Sequence, residues 1–566
     1  MAIIVWLGVG ASPGRMTCTA SGTPSRNGNH PRTARIALRL FILLSVLLMT
    51  AEAVPSASVE PAFSHETVLA EARALAANPF APPQKIPAEL AALSYDVYRS
   101  IRYRKVQAVR LQEADRFRVE LFAPGFLFTT GVELFVVSAG QPEPLLPGEQ
   151  SFATPTPEIA QAIAAFGRFA GFRLHYPINA TISDGGYAES DYADEFIVFQ
   201  GASYLRAVSR RQVYGLSARG LALNVAQRGG EEFPLFRRFW IEPMVGEPGG
   251  ITVHALLDSP SVAGAYRFDI WPGLVTTVDV AVTLFPRSAL THVGLAPLTS
   301  MYMHGPMDGP AAPDYRPAVH DSDGISMFTG TGEWIYRPLV NPRSLQVSAF
   351  LDSAPQGFGL VQRSRRFEHF EDLEAHYQSR PSAWIEPRGD WGAGQVELVE
   401  IPSASEANDN IVAYWRPQAA LPAGQAYRFA YRLSWPDRVP MRHQVPQIQR
   451  SAIGLTLGTE LPQAVIDWDT RLVPDDAQLS AVASASAGRV VETLLQRNDE
   501  TGGTRVFVTL QPGRAPVVEL RVELRIERRQ PSDPHASDGA DRVPDQGHED
   551  VERQLGEVWL YRWLAE

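Results

Sequence analysis

Through "VVELRVELRIERR" the apolar residues Val518, Leu520, Val522, Leu524 and Ile526 alternate with charged neighbours. Period two puts all five on one face of an extended strand, whereas a helix would scatter them around its axis. The stretch therefore demands a sheet with one covered face. Similar segments recur upstream: "RFRVELFAP" from Arg116, "FLFTTGVELFVVSAG" from Phe126, "ITVHALLDS" from Ile251 and "TTVDVAVTLFPR" from Thr276, each bounded by Gly, Pro or Asp. A mainly β fold follows. Helical interruptions are few. "SHETVLAEARALAAN" from Ser64 and "PAELAALSYDVYRSI" from Pro87 read as a wrapping N-terminal arm, and "TPEIAQAIAAFGRFAGF" as a helix with Thr156 at its N-cap and Pro157 at its first position. In "FEHFEDLEAHYQ", Phe367, Phe370, Leu373 and Tyr377 recur at near-helical spacing, which predicts another helix ending before Pro381.

At 566 residues the chain exceeds one typical domain. Residues 1–53 have the grammar of a signal peptide: Arg32, Arg35 and Arg39 precede an apolar run at 40–49 that ends in Ala51-Glu52-Ala53. The run is too short to span a membrane, which takes roughly 20 apolar residues, and no twin-arginine pair precedes it, so Sec export of a protein that does not span the membrane is expected. A large β-sandwich is expected over 54–435, a linker over the proline- and arginine-broken stretch 436–449, and a smaller antiparallel sandwich over 450–566. Within the last, the Asp-, Pro- and Gly-rich stretch near 530–554 reads as a loop.

Removing the leader's five arginines and one glutamate leaves 46 basic against 61 acidic residues, a formal net charge of −15. Nucleic acid is a poor partner for such a chain, because phosphate binding needs clustered positive charge. The single cysteine, Cys18, goes with the leader, so disulfides, thiol nucleophiles and thiolate metal sites are not expected.

Common catalytic signatures are missing. "GTGEWI" from Gly330 lacks the third glycine of a dinucleotide fingerprint. "YGLSARG" has Arg219 where a nucleophile elbow around Ser217 needs glycine. "HDSDGIS" lacks a calcium loop's third ligand position, so neither metal nor cofactor is expected. What remains is a dense polar and aromatic run over 296–415. Aromatic faces cover the C–H faces of sugars while carboxylates and guanidinium groups bond the hydroxyls, so this composition suits a carbohydrate cleft as well as it suits a β core with aromatic edges. Glycoside hydrolysis needs two carboxyl groups. Asp308, Asp321, Asp323, Glu333, Asp352, Glu386, Asp390, Glu406 and Asp409 are all candidates, and their spacing alone does not choose between them.

The blocks "GASYLRAV", "EEFPLFRRFWIE", "LAPLTSMYMHGP", "DYRPAVHDSDG", "GEWIYRPLVNP", "RPSAWIEPRGDWGAGQVELVEIP" and "NDNIVAYW" occur in order between about 65 and 435. In them the chain resembles the periplasmic glucan biosynthesis proteins OpgG and OpgD, formerly MdoG. The resemblance implies a large N-terminal β-sandwich of galactose-mutarotase type followed by an immunoglobulin-like β-sandwich. It implies a β-1,2-linked glucan as ligand, a working association with inner-membrane glucan synthase machinery, and no cofactor. Some members are inverting endo-β-1,2-glucanases or transglycosylases; a non-catalytic glucan-binding scaffold is the alternative. Carried over residue by residue, the resemblance makes Asp409 the general acid, Asp321 the general base and Tyr377 a proton relay. Tyr377 also reads as a core residue of its helix. Glu406, three residues before Asp409, is expected to bind sugar or to raise the acid's pKa by its like charge. Trp334, Trp384, Trp391, Tyr302 and Trp415 are candidate sugar platforms, at most half of which are expected to line the cleft, and Arg337 is expected among the sugar contacts.

Overall fold

A computed structural model describes residues 62–111, 116–180, 194–244, 249–310, 313–439, 445–474, 477–527 and 553–565. The expected signal peptide lies outside these residues, as do the middle of the expected linker and nearly all of the 530–554 insertion. The described chain is mainly β, and two large sheets packed face to face dominate it. One, of 11 strands, carries Arg118–Phe122, Gly171–Tyr176, Asp194–Gln200, Tyr204–Ala207, Ser217–Arg219, Val293–Ser300, Ile411–Pro417, Ala393–Glu400 and Gln346–Ser353 in lateral order. The other, of 15 strands, carries Leu235–Pro243, Ile251–Asp258, Val262–Trp271, Thr277–Pro286 and Tyr427–Ser434 side by side towards one end.

Alternation decides what lies between them. Phe172 and Phe199 point inward from the first sheet and meet Phe239 and Phe268 of the second, with ring centroids 5.1 to 5.7 Å apart. All four rings are almost wholly buried, and each contributes about 1.5–3 kcal/mol by leaving water. Their strand neighbours Arg173, Arg238 and Trp240 necessarily face the two outer surfaces, as does Arg206, which lies opposite Val198 on the adjacent strand.

The C-terminal part adds a four-stranded sheet, Ile448–Leu455, Pro462–Trp468, Gly503–Gln511 and Arg489–Asn498. Opposite it, Gln478–Ala485, Val517–Glu527 and Val558–Leu564 extend the large sheet. The alternating residues Val518, Leu520, Val522 and Leu524 all turn inward onto Ile466, Trp468, Val506 and Val508. Val558–Leu564 also runs parallel to Trp334–Pro338, pairing Ile335 with Val558 and Tyr336 with Trp559. At this junction Glu557, wholly buried, ion-pairs with Arg363 and accepts the Ile448 amide at 2.8 Å.

The arm helix forms as the sequence predicts, over His65–Ala76, and lays Val68 and Ala72 onto Trp240, Leu256, Ala265 and Phe285. His65 Nδ1 lies 3.1 Å from His254 Nδ1, and Glu242 holds His254 from the other side at 3.0 Å. Burial first, then His254 and Arg267, lower the His65 pKa to about 4, against the weaker opposing pull of Asp269. The folded state thus favours neutral His65, and this contribution is present above the ordinary value of 6.5 and lost as pH falls from 6.5 towards 4. Amide protection factors over 66–76, corrected for the intrinsic pH dependence of exchange, are therefore expected to fall across that window, while a His65→Phe variant, which keeps a flat ring without a titrating nitrogen, shows a flatter profile.

The helix Pro157–Phe166 also forms, ended by Gly167 in the left-handed region at φ 71°. The helix expected over Phe367–Tyr377 does not. That segment has two short 3-10 turns, Phe367–His369 and Tyr377–Ser379. Between them Asp372 accepts the amides of Glu374 and Ala375 at 2.9 and 2.7 Å, and Glu371 and His376 sit at φ 53° and 48°. A capping aspartate and two left-handed residues override apolar spacing.

Among the described residues, no helix is long and apolar enough to cross a membrane, and no group of three or more His, Cys, Asp or Glu is placed to hold a metal ion.

Candidate active site

The site forms where the strand Val293–Ser300 ends beside the start of Ile411–Pro417, antiparallel to it. Asn410 fixes this corner. Its amide donates to Ser300 O at 3.0 Å, its side-chain oxygen accepts the Tyr302 amide at 2.8 Å, and its Nδ2 donates to Tyr302 O and Ile401 O at 2.9 and 3.1 Å. A buried amide so fully bonded holds one orientation, and the neighbouring Asp409 inherits it.

Asp409 is presented on the outer face of the 11-stranded sheet. Arg206 approaches its Oδ2 through Nη2 at 3.3 Å and donates through Nε to Ser217 Oγ at 2.5 Å on the next strand. Burial raises the Asp409 pKa above its ordinary value; Arg206 opposes this, and the carboxylate of Asp321 adds to it. Desolvation and a like charge disfavour the ionised form, and here they outweigh the guanidinium. The like charge is Asp321 rather than Glu406, which turns towards Tyr377 and Arg316 instead.

Asp321 follows the short strand Val319–His320 and is held by its amide, which donates to Met301 O at 2.8 Å. Its carboxylate forms a buried ion pair with Arg380. Arg380 is itself located from three sides. Nε donates to Ala375 O at 3.1 Å, the guanidinium lies 4.3 Å above the Tyr377 ring, and Gly215 backs the side chain so closely that a Cβ there would sit 2.9 Å from the Cβ of Arg380.

Tyr377 is buried, and its hydroxyl donates to Glu406 Oε2 at 3.0 Å. Burial raises its pKa first, with Asp321 and Glu406 adding and Arg380 opposing, so the phenol stays neutral and can both donate and accept a proton. Glu406, whose side chain is 46% exposed, also accepts from Arg316 Nη1 at 2.9 Å. Arg316 in turn bonds Asp372 at 2.9 Å and grips Asp314. Contacts thus run Asp321, Arg380, Tyr377, Glu406, Arg316, Asp372, by ion pairs and hydrogen bonds at every step except Arg380 to Tyr377, where the guanidinium lies over the ring.

The structure brings Asp409, Asp321, Tyr377 and Glu406 together. It does not do so for the expected aromatic platforms. Trp334 and Trp384 stack on each other at 5.6 Å in the core shared with Trp468 and Trp559. Trp391 donates to Ala430 O at 3.2 Å and packs edge-on against Tyr431, and Trp415 is wholly buried behind it. Tyr302 stacks on His320 and bonds Asp308 at 3.1 Å. Arg337 is buried in an ion pair with Glu400 at 3.0 Å. All five rings are almost wholly buried and the Arg337 guanidinium is closed onto a core carboxylate, so the structure places these residues in the core rather than beside the two aspartates. Arg380, Arg206 and Arg316, which sequence reasoning passed over, supply the cations of the site. Only the blocks "YLRAV", "DYRPAV" and "QSRPSAW" that contain them pointed to them.

Comparison with known proteins adds a lineage to this geometry. Residues 63–535 match the family model described as "Periplasmic glucan biosynthesis protein, MdoG". "Glucans biosynthesis protein G 2" of Shewanella oneidensis is 45% identical over 506 residues, covering 89% of this chain and 89% of that protein. "Glucans biosynthesis protein G" of Shewanella baltica is 43% identical over 507 residues, covering 89% and 87%.

Proposed function

Because the chain belongs to the MdoG family of periplasmic glucan biosynthesis proteins, we propose that this site cleaves β-1,2-linked glucan with inversion, in an exported protein that has lost residues 1–53. The observation that carries the reading is the unequal treatment of two neighbouring carboxyl groups. Each has an arginine partner, but burial raises the Asp409 pKa in spite of Arg206 at 3.3 Å, while Asp321 is closed tightly onto Arg380. Such a division separates an acid from a base. Asp409 protonates the glycosidic oxygen as the C–O bond breaks. Water adds to the anomeric carbon from the opposite face, and its proton passes towards Asp321. Inverting sites leave roughly 6.5–9.5 Å between the two carboxyl groups to admit that water, or more when a relay intervenes.

Tyr377 is the relay, since its ring lies against the Arg380 that grips Asp321 and its hydroxyl already holds a hydrogen bond to a carboxylate. Tyr377→Phe removes that hydroxyl and leaves the ring under Arg380. It is expected to lower kcat about 10²-fold or more, the lower range of general acid–base effects, with KM little changed and thermal unfolding unshifted. Glu406→Gln, which still accepts from Tyr377, is expected to lower activity far less.

The direct test incubates the mature protein with linear β-1,2-glucan and follows products by chromatography and anomeric NMR. Fresh products in the α configuration support inversion; β products overturn it. Measurable glucan binding without cleavage or transfer favours the scaffold reading, and transfer to a sugar acceptor in place of water makes the protein a transglycosylase.

A further inference from the structure

The opposite outer surface of the sandwich holds a cavity of about 310 Å³. It opens between the arm helix and the outward faces of Leu235–Pro243 and Glu133–Ser138, and Leu75 and Leu256 form its apolar floor. Its wall is a grid of half-buried charges. Arg168 bonds Glu133 at 2.8 Å and Gln84 at 2.6 Å; Arg238 bonds Glu133 at 2.6 Å and Glu71 at 2.8 Å. Arg237 bonds Asp258 at 2.8 Å. Each guanidinium has five N–H donors, and none of these three spends all of them on those partners.

We propose that this cavity is a second saccharide site, separate from the Asp409 site and without catalytic groups of its own. Charge decides the ligand class. The guanidinium groups of Arg168 and Arg238 are matched by the carboxylates of Glu71 and Glu133, while Asp258, behind the cavity wall, is shared by Arg237 and Arg287. An anion would meet Glu71 and Glu133, and a cation would meet the arginines. A neutral polyol finds free N–H donors and carboxylate lone pairs side by side, fixed by their mutual bonds, with an apolar floor for its C–H face. The volume is at the lower end of ligand pockets, which suits a short saccharide rather than a long chain threaded through.

Topology separates the two sites. Arg238 and Leu256 alternate with the inward-facing Phe239 and Ala255, as Arg206 and Ser217 alternate with Leu205 and Ala218. The cavity and Asp409 therefore lie on opposite outer faces, with two sheets and about 10 Å of core between them. A polymer held at one face can leave a distant stretch free to reach the other. The proposal rests on the glucan reading only for the choice of sugar.

The test follows the methyl resonances of Leu75 and Leu256 in the mature protein while the β-1,2-linked disaccharide of glucose is added, with Met301 and Met303 methyls reporting on the catalytic side. Saturable shifts at Leu75 and Leu256 are expected. Ala74 lines the cavity from the exposed side of the arm helix. Ala74→Trp fills the space without touching an ion pair, and should weaken those shifts about tenfold or more while leaving glucan turnover unchanged. Arg238→Gln should weaken them too. No shift at Leu75 or Leu256, shifts that survive Ala74→Trp, or shifts produced by inorganic phosphate and not by the sugar would overturn the site. If the leucine shifts appear but wild-type protein neither cleaves nor transfers glucan, the second site stands and the catalytic reading falls.

Discussion

Asp409→Asn is expected to lower the release of reducing ends from linear β-1,2-glucan by about 10²–10⁴-fold, the range assigned to a positioned general acid. Asparagine keeps the volume and the hydrogen bond from Arg206 but has no proton to give. Because Asn410, not Asp409, holds the corner together through its four hydrogen bonds, the variant should fold and bind glucan as wild type does. Loss of activity together with loss of folding would assign Asp409 a structural role, and undiminished activity would remove it from the mechanism. The pH profile gives a second reading. The acid must be protonated, and burial with the Asp321 charge raises its pKa, so activity should persist above the ordinary carboxylate range and fall as pH rises through the shifted value. Removing the like charge with Asp321→Asn should bring the Asp409 pKa down; that variant loses the base as well, so the shift is best followed by NMR titration of Asp409 itself.

Glu557→Ala should cost the fold about 3–5 kcal/mol, the penalty for leaving one member of a buried ion pair alone. Glu557 is wholly buried, and its carboxylate takes both terminal nitrogens of Arg363 and the amide of Ile448. Arg363 also lies 3.9 Å over the Tyr336 ring, and the Glu557 carbonyl accepts the Trp468 indole at 2.9 Å. Truncation strands a guanidinium between the large sheet and the C-terminal strands. Urea unfolding monitored by tryptophan fluorescence measures the loss. A change under about 1 kcal/mol, the level of an exposed pair, would mean that water reaches the junction. The double replacement Glu557→Leu with Arg363→Met should recover much of the stability, since it removes both charges.

How much of this was legible beforehand depended on whether a residue's partner was near in sequence. The strand Val517–Glu527 announces itself by strict alternation, and the helix Pro157–Phe166 by Thr156 and Pro157. The stretch 367–377 had helical spacing but contained Asp372, whose side chain competes for backbone amides, and that local bond won. Aromatic composition suggested a sugar cleft, yet Trp334, Trp384, Trp391 and Trp415 are core residues. Composition counts rings without saying which face of which sheet they occupy. The acidic pair was readable only through resemblance to a family. Its arginines were less so, because Arg206 reaches Asp409 across 203 positions and Arg380 reaches Asp321 across 59.

The parallel pairing of Trp334–Pro338 with Val558–Leu564 also sets a timetable. Ile335 and Val558 are 223 positions apart, and a parallel ladder gains nothing until that long loop is closed. Until Val558–Leu564 arrives, one rim of the larger sheet presents unpaired amides and carbonyls, a template for another chain. Folding of the larger sheet should therefore finish late and slowly. The strand that closes it belongs to the same segment as Glu557, so its docking zips the sheet and locks the ion pair in one event.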